Sequence, residues 1–174
     1  MGAAMTYVVV KDKPDSALME SLKISELGDG DYIHDLYGSD DITCCLFESG
    51  WHVITNYGNP DDLIAPAILK RLSAGTKLVA CEVEEHVMYS AAEGWGNGVQ
   101  IWKVVHDSQE AENHLVTSGV MPKGYDALAD YLKQRQSEPM ACDYLFSVAP
   151  ELVNNIAGFE YLGNHLFPKF EIEF

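Results

Sequence analysis

The pair Asn97-Gly98 sits between two runs of strand character, Thr76 to Glu93 and Val99 to His106. Asparagine followed by glycine takes up the left-handed backbone angles of a tight reversal more readily than other pairs, so the position predicts a β-hairpin. The run before it is too long for one regular strand, and a bend or bulge is expected near Glu84 to His86. Register depends on the loop. A five-residue loop, Gly94 to Gly98, sets His86 opposite His106, whereas a two-residue turn sets Tyr89 there.

The rest of the chain is organised around further strand and helix signals. Thr6 to Lys11 is β-branched and aromatic, which reads as a strand, and a weak helical stretch follows Pro14. Ile42 to Phe47 and Trp51 to Tyr57 flank Glu48-Ser49-Gly50 as a second hairpin. Asn59-Pro60-Asp61-Asp62 has the form of a helix start. Ile64, Ile68 and Leu72 then recur at four-residue spacing towards Gly75, with a kink or a late start at Pro66. Beyond Asp107 the spacing of Tyr125, Leu128, Tyr131 and Leu132 predicts a helix, and Pro150 to Gly158 predicts a shorter one. Pro168 to Phe174 alternates apolar and acidic residues as a terminal strand does.

These elements predict an α+β fold, a mostly antiparallel sheet with helices packed on one face, in a single domain over residues 1–174. The first six follow the β-α-β-β-α-β order of the ferredoxin-like core.

Charge narrows function more than motif does. Twenty-seven acidic residues against eleven basic ones leave a net charge of −16. Such a chain repels phosphate backbones, so nucleic-acid binding is excluded. The acids serve solubility, or they complement a basic protein partner. No apolar run is long enough to span a bilayer, and the N-terminus has no secretory signal, so neither a membrane partner nor export is expected. Cys44, Cys45, Cys81 and Cys142 lack zinc or redox spacing, which points to reduced thiols and a cytoplasmic location.

Glu82, Glu84 and His86 share one face of a regular strand, and His106 and Asp107 lie on its hairpin partner. That set could hold a divalent transition metal and support hydrolysis. The plainer reading is the solvated face of a sheet in an acidic protein. No serine elbow is present, and Gly94-x-Gly96-x-Gly98 opens a strand where a dinucleotide fingerprint opens a helix. Trp102 belongs in the core, while Trp95, between glycines at the turn, has the position of an exposed binding anchor.

The segments Gly50 to Ile54, Val83 to Ser90, Ile101 to Asp107, Asp143 to Phe146, Pro150 to Leu152 and Gly158-Phe159 together resemble small bacterial cytoplasmic proteins of the toxin-immunity kind. The resemblance implies a bacterial origin and a non-catalytic binding role, carries over no catalytic residue and implies no cofactor. Trp95 with Glu82, Glu84 and Glu93 is then the expected binding surface. A small metal-dependent enzyme using Glu82, Glu84, His86 and His106 is the alternative. A third is a homodimer formed through the edge of Phe170 to Phe174.

Overall fold

The computed structural model describes residues 4–22, 28–29, 42–46, 50–56, 63–138, 142–160 and 167–174. The chain is α+β, with eight strands hydrogen-bonded in the order β2-β3-β4-β1-β5-β6-β7-β8. These are β1 Ala4–Lys11, β2 Gly28–Asp29, β3 Ile42–Leu46, β4 Trp51–Asn56, β5 Lys77–Glu84, β6 Tyr89–Gly96, β7 Val99–Asp107 and β8 Val116–Gly119. The helices are α1 Asp15–Leu22, α2 Pro66–Leu72, α3 Tyr125–Gln136 and α4 Val148–Ala157. β1 pairs antiparallel with β4, β4 with β3 and β7 with β8, while the two-residue β2 runs parallel to β3. The residues sort into two compact units, one over Met5–Ala80 and Gly94–Gln100, the other over Cys81–Glu93 and Ile101–Phe174.

In the first unit β1 is buried from Met5 to Val10 with no alternation, as expected of a strand flanked by others and covered on both faces. Val8 and Val10 pack with Leu18 of α1, Ile54 of β4, Leu69 and Leu72 of α2, and Leu78. Proline resolves the start of α2. Pro66 occupies its first turn, where a missing N–H costs nothing, and the expected cap at Asn59 to Asp62 lies outside the described residues. Lys13 closes the other end. Its ammonium donates to Arg71 O at 3.0 Å and Leu72 O at 2.8 Å, satisfying carbonyls that a helix C-terminus leaves open. Burial pushes the lysine pKa down, with Glu20 partly opposing.

The long extended run resolves into two strands joined by the turn Glu85–Met88, a full reversal rather than a bend. At the next turn Asn97 and Gly98 have φ of 51° and 78°, the angles of a two-residue reversal. At the far end of that hairpin Ser108 N donates to Met88 O at 3.3 Å.

In the second unit α3 buries Tyr125, Leu128, Ala129 and Leu132 on one stripe at helical spacing. α4 ends at Gly158, whose φ of 80° is the left-handed stop that glycine provides, and whose N–H reaches Asn154 O at 2.8 Å. The C-terminal segment departs from expectation. It makes one bridge, Lys123 to Glu173, and no strand. Lys123 stands one residue before Gly124, the N-cap of α3, so the chain turns into a helix before a ladder can lengthen. Phe170 N is instead held by Asn155 Oδ1 at 2.6 Å, while Phe167 and Phe170 pack on Tyr131 and Phe174 on Trp102. The alternation thus serves aromatic packing, and the terminal strand expected there reduces to a single bridge.

Replacing Lys13 with methionine keeps the stem and removes the donors to two carbonyls. Chemical denaturation should show a loss of about 2 kcal/mol. An unchanged midpoint would mean that solvent satisfies the end of α2.

Candidate functional site

β8 ends the strand order, so among the described residues one of its edges carries no further strand. Its register on β7 sets Val105 opposite Val116, Lys103 opposite Ser118 and Trp102 opposite Gly119, and Val120 N donates to Ile101 O at 3.0 Å. That bond places Val116, Ser118 and Val120 in hydrogen-bonded pairs. The N–H and C=O of Thr117 and Gly119 therefore point outward, away from β7. All four residues of β8 are exposed. Trp102, Val104 and His106 of β7 face inward and are buried, which leaves Ile101, Lys103, Val105 and Asp107 on the outer face. Ile101, Val105, Val116 and Val120 thus form one outward apolar strip, with Val116 54% and Val120 77% exposed. Gly119 permits the close pairing beneath it, because its φ is +77° and a Cβ there would run into Ile101 O.

The strip is held in place from below by a histidine. His106 is 1% exposed, with Nδ1 2.6 Å from the His114 carbonyl and Nε2 2.9 Å from Asp143 Oδ2. A carbonyl only accepts, and so does a carboxylate. Each ring nitrogen thus lies within hydrogen-bond distance of an oxygen, and the ring joins the two segments that carry them. His114 is anchored in turn, its Nδ1 accepting from Asp107 N at 2.9 Å. This network fixes both ends of the loop between β7 and β8. Asp143 is positioned by its own surroundings: Oδ1 accepts from Phe146 N at 3.3 Å, and Gln136 Oε1 accepts from Tyr144 N at 2.7 Å. Arg135 also donates to the Tyr144 hydroxyl at 3.0 Å.

The residues expected to form the site separate. Trp95 is a correction: it is 9% exposed and belongs to the apolar core of the first unit, beside Leu69 and Leu78. The reason is that β6 runs on through Gly94, Trp95 and Gly96, so Trp95 is a strand residue facing inward and not part of the turn. Glu82 and Glu93 are half-buried in the second unit, and both act on Tyr89. Burial raises the Tyr89 pKa first, and the carboxylates of Glu82, Asp107 and Glu93 raise it further.

Glu84 and His86 form a local pair on the turn between β5 and β6. The His86 ring donates to Glu84 Oε1 at 2.5 Å and its backbone N–H at 3.0 Å. The ring bond first, then the backbone bond, lower the Glu84 pKa below the usual carboxylate range. His86 and His106 are therefore committed to different carboxylates. Among the described residues no group of three histidine, cysteine or acidic side chains is arranged to hold a metal ion, and no helix is long and apolar enough to cross a membrane. Sequence reasoning missed the His106–Asp143 pair, because 37 residues separate its members and no local pattern joins them.

Asp143→Ala should leave a buried ring nitrogen of His106 without its partner and cost about 2 kcal/mol in denaturant unfolding, with Asp143→Asn costing less. Equal stability of all three chains would remove the pair from the account. For Glu84 the ionised form is the one held in the folded state. Its small, solvent-screened contribution is therefore present above the ordinary carboxylate pKa and lost as pH falls through the lowered one. Carbon-detected titration should find Glu84 below its ordinary value, and His86→Ala, which keeps the backbone N–H, should raise it part of the way back. An unmoved titration in that variant would contradict the assignment.

Searches against family models, curated proteins and solved structures find nothing that matches this chain.

Proposed function

We propose that this chain is a non-catalytic protein-binding module, of the immunity or regulatory kind, whose partner is a basic protein of a bacterial cytoplasm. The observation that carries the reading is the outward apolar strip, with Val116 54% and Val120 77% exposed, in a chain whose net charge is −16. A chain of that charge favours a cationic partner that neutralises it. Apolar residues grouped on a solvent face are a common mark of an interaction surface. Asp107 stands two residues from Val105 on the same face of β7, so charge and apolar contact adjoin.

The test is capture from an extract of the host cell, eluted across a salt series, with wild-type protein and a Glu82→Gln/Glu93→Gln variant side by side. A single stoichiometric basic protein, released steeply by salt and held about tenfold more weakly by the variant, is the expected result. An empty capture, or a partner indifferent to both salt and substitution, would overturn the reading.

A further inference from the structure

We infer that the free edge of β8 takes up an extended segment of a basic partner as an added strand. The inference rests on the protein-binding reading and names the place and the chemistry of the contact. Three features of the fold meet at this edge. The first is hydrogen bonding: the outward N–H and C=O of Thr117 and Gly119 offer a template for a further strand. Edges of this kind are ordinarily blunted by lysine, proline or a covering loop. Val116-Thr117-Ser118-Gly119 has neither residue type and is exposed throughout. The second is apolar surface: Val116 and Val120 project from the same outer face as Ile101 and Val105, so alternate side chains of an added strand extend that strip.

The third feature is charge, and it selects the occupant. Glu110 and Glu112 are exposed on the loop that leads into β8, and Glu171 is exposed on the segment bridged to Lys123 just after it. A segment with lysine or arginine at its ends and β-branched residues between them matches both the ends and the middle of this edge. A second copy of the chain does not, because two surfaces of net charge −16 would meet along it. His106 holds the loop that carries Glu110 and Glu112, so the acids and the strand keep a fixed relation.

The probe is a synthetic peptide of alternating valine and threonine with lysines at both ends, added to the full chain and followed by amide NMR. The expected result is slowed exchange at the Thr117 and Gly119 N–H groups, with binding at least about tenfold weaker after Thr117→Pro. That substitution removes an outward donor and leaves the bonds to β7 in place. The same peptide, N-methylated at alternate backbone nitrogens, gives a comparison on wild-type protein that does not depend on the variant folding. It should fail to bind. Equal binding by the N-methylated peptide, or by one with glutamate in place of lysine, would overturn the inference, as would protection elsewhere or none. So would a dimer in sedimentation that Thr117→Pro dissolves, since the occupant is then a second copy. A captured host partner that binds Thr117→Pro undiminished also overturns the added strand while leaving the protein-binding reading intact. Failure of both partner and peptide would remove both.

Discussion

The pairing of His106 with Asp143 is the interaction on which the outer strands depend. An imidazole buried to 1% exposure has one ring nitrogen on a carbonyl oxygen and the other on a carboxylate oxygen. Its geometry therefore fixes the carbonyl of His114, two residues before β8 begins, and the carboxylate of Asp143, two residues before the 3₁₀ turn Leu145–Ser147. Removing either partner leaves a polar group in a dry place, which is why such pairs hold position more reliably than exposed ones. The backbone bond from Asp107 to the His114 ring closes the loop against the strand it leaves.

Rigidity below permits exposure above. β8 is short, exposed on every residue and joined to the fold by one neighbouring strand. A strand of that kind would fray unless its entry were fixed, and the histidine network fixes it. Keeping apolar residues in water on this face costs free energy. Features that lower the stability of the free chain are the ones a binding reading explains.

Much of the architecture was legible from local chemistry. Asn97-Gly98 gave the hairpin, the spacing of Tyr125, Leu128 and Leu132 gave α3, and Gly158 gave the stop of α4. Errors arose where a local pattern had two physical uses. Glycines around Trp95 suggested a turn, yet the strand runs through them and the indole faces inward. Alternation in Phe170 to Phe174 suggested a ladder, but the aromatics pack on Tyr131 and Trp102 because Gly124 starts a helix where a second bridge would lie. The site was least legible. The His106–Asp143 contact joins distant segments that carry no shared signal. Glu82 and Glu93 could be picked out as candidates, but not that both act on Tyr89.

Native-state hydrogen exchange on the free protein tests the central claim most directly, because it reads each edge of β8 separately. The account predicts alternation: slow exchange at the Ser118 and Val120 amides, which bond to β7, and fast exchange at Thr117 and Gly119, which face outward. Uniform protection along β8 would show that the edge is already occupied in the free protein. Uniformly fast exchange would show that the histidine network does not hold the strand. Either result would contradict the account.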